Sequence, residues 1–122
     1  MEKTSYREHK VWQASIDLAA FVIRMADSFP GNAQRELASE LGASAVAIPS
    51  DIASAWEQKD KRKKKARFDL VVTETYRLES LIFLAARLNL MQEKLLSNTF
   101  QVIIEIRRMI NELIKELMES KS

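Results

Sequence analysis

The sequence predicts an all-α fold, an antiparallel up-down-up-down four-helix bundle, on three observations. Apolar residues recur at intervals of three and four along four long segments, which is the period of a helix with one buried face. Only three short breaks separate those segments, and short connections make successive helices run antiparallel. Two glycines and two prolines in 122 residues are too few turn formers for an all-β chain. The whole chain, 1–122, reads as a single domain, long enough to bury a core without disulfides.

Taken in order, residues 1–8 form a polar lead-in with Tyr6 as its one large apolar group. The first helix is expected over about residues 8–28, with Trp12, Ile16, Ala19, Ile23 and Ala26 as its packed line. Val11, Leu18, Phe21, Val22 and Met25 widen that face well beyond one seam. Phe29-Pro30-Gly31 ends it, because Pro30 disfavours the helical region at Phe29 and Gly31 permits a turn.

Asn32 is the expected N-cap of a second helix over residues 33–57. Its buried line is Leu37, Leu41, Ala45, Ile48, Ile52 and Ala55. The middle of this helix, Ser44-Ala45-Val46-Ala47-Ile48-Pro49-Ser50-Asp51-Ile52-Ala53-Ser54-Ala55-Trp56, is rich in small residues that let backbones approach closely. Pro49 has no N–H and its ring crowds the preceding turn, so a kink or a break is expected there. Gly42 reads either as the site of a close helix crossing or as a tolerated weak spot.

Asp60 is the N-cap candidate for a third helix over residues 61–89. Phe68, Val72, Thr75, Leu78, Ile82 and Ala85 form its line, and Asn89 can close it in the left-handed region. The fourth helix begins between Gln92 and Thr99 and ends near Glu119. Phe100, Ile103, Ile106, Ile110, Leu113 and Leu117 form its stripe. The first and third helices carry more apolar surface than one bundle core needs, which points to a homo-oligomer.

Little in the chain suggests catalysis. With no cysteine there is no thiol nucleophile or thiolate metal site, and a reducing compartment fits. His9, the one histidine, cannot build a di-iron centre or a tetrahedral zinc site, and it reads as a polar residue of the first helical turn. Asp51 reads as a hydrogen-bonding group for backbone freed by Pro49, with a catalytic acid as the alternative. Ser44, Ser50 and Ser54 have no base at a recognisable spacing, and no glycine-rich phosphate loop is present. The expectation is therefore no enzyme, no cofactor and no metal. The polar first ten residues show no signal peptide, and no apolar run is long enough for a bilayer, so the expected setting is cytoplasmic, with no membrane contact.

The stretch with functional content is residues 59–67. Lys59, Lys61, Arg62, Lys63, Lys64, Lys65 and Arg67 are seven of the 19 basic residues, with Asp60 the single acid among them. The rest of the chain carries 12 basic against 16 acidic side chains, so the net charge of +2 conceals a polarised molecule. Crowded cations at a helix start repel one another and oppose the helix dipole. Three readings stay open for them: a solvated helix start, a contact to RNA or DNA backbone, or a contact to an acidic protein or anionic surface. No recognition helix, zinc finger or RNP-like motif accompanies the cluster, so any nucleic-acid contact would be to backbone, without sequence readout. Trp56 reads as a core or subunit contact, with base stacking as the alternative.

Several segments carry a resemblance. Val11-Trp12-Gln13-Ala14, Ser28-Phe29-Pro30 and Ala45-Val46-Ala47-Ile48-Pro49-Ser50-Asp51-Ile52-Ala53 resemble the four-helix-bundle family encoded in intervening sequences of bacterial 23S ribosomal RNA genes, also called the S23 ribosomal protein family. Glu74-Thr75-Tyr76-Arg77-Leu78-Glu79 and Ala86-Arg87-Leu88-Asn89-Leu90 are similar to its third-helix pattern, so the likeness spans about residues 6–118. The resemblance implies a bundle that assembles as a pentameric ring, with no catalytic residues to carry over. It extends to the accessory variability protein of diversity-generating retroelements, a basic pentamer that binds nucleic acid and partners a reverse transcriptase. Two departures stand out: Glu40-Leu41-Gly42 replaces a usually basic stretch, and Ile52-Ala53-Ser54-Ala55 replaces the usual I-A-E-G.

Overall fold

The computed structural model describes residues 5–120, and the first four residues of the polar lead-in lie outside that range. Among the described residues no strand forms. Four helices follow one another: α1 (Lys10–Asp27), α2 (Arg35–Glu57), α3 (Lys61–Arg87) and α4 (Glu93–Glu119). Single 3-10 turns at Tyr6–Glu8 and Asn32–Gln34 lead into α1 and α2. At about 1.5 Å per residue, the 27 residues of α3 or α4 make a rod about 40 Å long.

Cross-helix contacts set the directions. His9, at the start of α1, meets Trp56 at the end of α2, while Ile23 near the end of α1 lies beside Gly42. Glu40 pairs with Arg77, and Lys64 with the carbonyl of Trp56, so α2 and α3 run in opposite directions. Lys61 reaches Ser120 and Phe83 meets Phe100, which gives the same answer for α3 and α4. The bundle is antiparallel and all-α.

Local chemistry explains where each helix starts and stops. His9 is the N-cap of α1: its Nδ1 accepts from the Val11 N–H at 3.0 Å, a more specific role than a polar first-turn residue. Asn32 does not cap α2. It opens the 3-10 turn, its Oδ1 accepts from Arg35, and the cap position falls to Gln34 with no side-chain bond. Asp60 caps α3 as expected, accepting from the Lys63 N–H at 3.1 Å. Asn89 has φ 62° and ends α3: the N–H of Leu90 bonds the Ala85 carbonyl, and that of Asn89 the Ala86 carbonyl. These two hydrogen bonds satisfy two of the carbonyls that a helix end leaves free. Ser97 and Asn98 lie inside α4, which starts at the early end of its expected range.

Pro49 does not break its helix. The residue is buried and α2 continues through it from Arg35 to Glu57. Ile48 and Ile52 on either side are fully buried, and packing of that kind outweighs one missing backbone bond.

The core contains Leu41, Ile48, Ile52, Leu78, Ile82, Ile103, Ile106 and Ile110, all with no exposed surface. Burying each contributes about 1.5–3 kcal/mol. The lines expected for α2 and α4 hold, with Leu37, Phe100, Leu113 and Leu117 half-buried at their ends. The line expected for α1 is rotated. Val11, Ser15, Leu18, Ala19, Val22 and Ala26 face inward, whereas Ile16 and Ile23 are 39% and 45% exposed. On α3, Val71 is buried where Val72 was expected. Two lines at helical spacing compete on each of these helices, and Ser15 can be buried on the α1 line because its hydroxyl donates to the Trp12 carbonyl.

Candidate nucleic-acid interface

The turn between α2 and α3 brings the basic cluster to one end of the bundle. Asp60 fixes the first turn of α3, and everything after it follows helical spacing. Three of the seven cations are tied to the protein. Lys61 donates to the Ser120 carbonyl at 2.7 Å, Lys64 to the Trp56 carbonyl at 2.8 Å, and Lys65 pairs with Asp69 at 2.7 Å. The first two bonds satisfy carbonyls at the ends of α4 and α2, which no helix can satisfy internally.

Lys59, Arg62, Lys63 and Arg67 point outward. All four are exposed, and among the described residues no carboxylate lies within ion-pair distance of them. Lys63 and Arg67 are four residues apart and share one face of α3, with Arg62 on the adjoining face. Asp60 spends its carboxylate on the backbone, so it compensates the helix start rather than these side chains. The structure thus divides the predicted cluster into a structural half and an outward half.

Aromatic residues back this end of the bundle. Trp56 sits 4.9 Å from the His9 ring and 6.5 Å, edge-on, from the Phe68 ring. A cavity of about 270 Å³ opens beside it, lined by Trp56, Lys64, Phe68, Leu113, Glu116 and Leu117. Trp56 is half-buried between its neighbours, which matches a packing role more closely than base stacking. On α4, Arg108 is held between Glu105 and Glu112. The Arg108 hydrogen bond also holds the Glu105 carboxyl below its ordinary range.

Two polar constellations away from this end were not legible as such in the sequence. Arg107 of α4 donates to Thr75 Oγ1 at 2.9 Å and to Glu79 Oε1 at 2.7 Å, and its guanidinium lies 3.6 Å from the centre of the Tyr76 ring. Across the α2–α3 seam Asp51 lies close to Glu74, both half-buried, and after burial itself the Asp51 carboxyl is what pushes the Glu74 carboxyl above its ordinary range. Asp51 therefore does not serve the backbone near Pro49 as expected; Ser50 Oγ, which bonds the Val46 carbonyl at 2.9 Å, is the residue that bonds the local backbone. The spacing of Thr75 and Glu79 was a usable signal for the first constellation, since Thr75 is a polar member of the buried line of α3 and Glu79 lies one turn on beside it. Nothing in the local sequence pairs positions 51 and 74.

Among the described residues, no group of three or more histidine, aspartate or glutamate side chains is placed to hold a metal ion. No helix among them is long and apolar enough to cross a membrane.

These features define an antiparallel four-helix bundle with one densely basic end. A model of the 23S rRNA-intervening sequence protein family matches residues 7–112, and the chain belongs to that family. A search of curated proteins finds no match.

Proposed function

We propose that the protein is a non-enzymatic, oligomeric helical scaffold whose basic end contacts nucleic-acid backbone. The observation that carries this reading is the outward quartet Lys59, Arg62, Lys63 and Arg67, four cations with no carboxylate in ion-pair range at one helix start. Such an arrangement costs stability through like-charge repulsion, and phosphates would relieve that cost. The approach is over α3, away from the carboxylates of α4.

Assembly is supported by the apolar surface that one copy leaves in water. Ile23, Val46, Phe83, Leu84, Leu88 and Ile104 are each 45% exposed or more. An apolar cavity of about 420 Å³ between α1 and α4, lined by Leu18, Phe21, Leu95 and Val102 among others, adds to it. These large apolar side chains stand on all four helices, more apolar surface than a lone bundle needs to leave in water. The family resemblance implies a pentamer, and a ring would repeat the basic end in every copy, so weak single contacts would combine.

A second reading, a protein-interaction module that binds no nucleic acid, draws on the same apolar surface. Binding of labelled RNA and DNA at one low salt concentration separates the two. The triple variant Arg62→Gln, Lys63→Gln, Arg67→Gln is expected to lose about tenfold or more in affinity while keeping its helix content. No binding by the parent would favour the interaction module, and equal binding by the variant and the parent would overturn the assignment of the contact to the basic end.

A further inference from the structure

We propose that Asp51 and Glu74 form a proton-held clasp between α2 and α3: one shared proton joins the two carboxyls, and its loss leaves like charges facing across the seam and loosens it. The clasp stands first on placement. Asp51 lies on α2 two residues beyond buried Pro49, Glu74 lies one residue before fully buried Thr75 on α3, and both acids are half-buried. The Oε1 of Glu74 is sealed from solvent and, among the described residues, receives no donor. Two ionised carboxylates in such a place would each lack a counter-charge, whereas a single proton between them satisfies one oxygen of each.

The neighbouring charges do not replace that proton. Arg77 on α3 favours the ionised form of Glu74, but it is bonded to Glu40 of α2 and its side chain is 60% exposed. From α4, Arg107 is committed to Glu79 and Thr75. No charge on α1 is among those that act on Glu74. Burial foremost, and then the hydrogen bond to Asp51 and its charge, push the Glu74 carboxyl up to about 8. The clasp is therefore closed at neutral pH and opens on the alkaline side.

The test is amide hydrogen exchange on the full chain at pH 6.5 and pH 9, corrected for the intrinsic rate and referred to amides of α1. Protection near Asp51 and Glu74 is expected to fall by about tenfold in the parent and to change little in Glu74→Gln, which keeps a hydrogen-bonding group without a titrating charge. The carboxyl carbon shift of Glu74 in the parent supplies a readout that needs no variant to fold, and its midpoint is expected near the alkaline value. An ordinary carboxyl midpoint, or the same loss of protection in parent and variant, would overturn the clasp.

Discussion

Arg107 of α4 donates through Nη2 to Oε1 of Glu79 on α3 at 2.7 Å, in a place where the two side chains are only 13% and 27% exposed. The same guanidinium bonds Thr75 and faces the Tyr76 ring, so one side chain ties α4 to two successive turns of α3. Replacement by methionine leaves Glu79 half-buried without its partner. Arg107→Met is expected to destabilise the protein by about 2–4 kcal/mol in urea unfolding. The double variant with Glu79→Gln should recover at least about 1 kcal/mol of the summed single losses, and strict additivity would show that the pair is not coupled.

Gly42 offers a gain rather than a loss. A Cβ built on it would meet only Ile23 Cγ1, at 3.9 Å, which is ordinary contact. Of the two sequence readings, the structure supports the weak spot and not the close crossing. Gly42→Ala is expected to raise stability by about 0.5–1 kcal/mol, read as a higher urea midpoint with an unchanged slope.

Asp60 carries the first turn of the most crowded helix. Asp60→Ala removes the bond to the Lys63 N–H and also the one acid among seven cations, at a cost of about 1 kcal/mol or somewhat more. Asp60→Asn keeps the cap and removes the charge, so the difference between the variants reads the electrostatic share. Raising the salt concentration should shrink the loss in Asp60→Asn and leave most of the loss in Asp60→Ala.

The raised Glu74 carboxyl also has a consequence for global stability. Its folded value near 8 exceeds its ordinary value of 4.5, so the folded state holds a proton that the unfolded chain has released between those limits. That contribution is fully present below about pH 4.5 and is lost as pH rises to about 8. The slope is at most about 1.4 kcal/mol per pH unit for one proton, and less at a site that is only half-buried. Subtracting the pH profile of Glu74→Gln from that of the parent isolates it. A flat difference between pH 5 and pH 8 would contradict it.

How far the chain could be read from its sequence depended on what each residue type can settle alone. Asp60 and Asn89 were legible because a cap and a left-handed stop are local matters, decided by one side chain and its nearest backbone. The α2 line from Leu41 to Ala55 was legible because few bulky residues compete with it. On α1, Ile16 and Ile23 looked as suited to the core as Val11 and Val22, and only the neighbouring helices choose between such lines. The same limit hid the pairings of Asp51 with Glu74 and Arg107 with Glu79, since each joins two helices. The basic cluster was legible as composition, but its division into tied and outward cations depends on where Ser120, Trp56 and Asp69 lie.

The basic end is tested most directly by the salt dependence of its affinity for duplex RNA or DNA. Each phosphate contact adds nearly one unit to the slope of log affinity against log salt for duplex DNA. The parent protein should show a steep slope, and Arg62→Gln, Lys63→Gln, Arg67→Gln should lower it by about two to three units per engaged copy. Lys64→Gln, which breaks the bond to the Trp56 carbonyl, should affect stability more than the slope. A parent slope near zero, or one that the triple variant leaves unchanged, would contradict the assignment of this surface to nucleic acid.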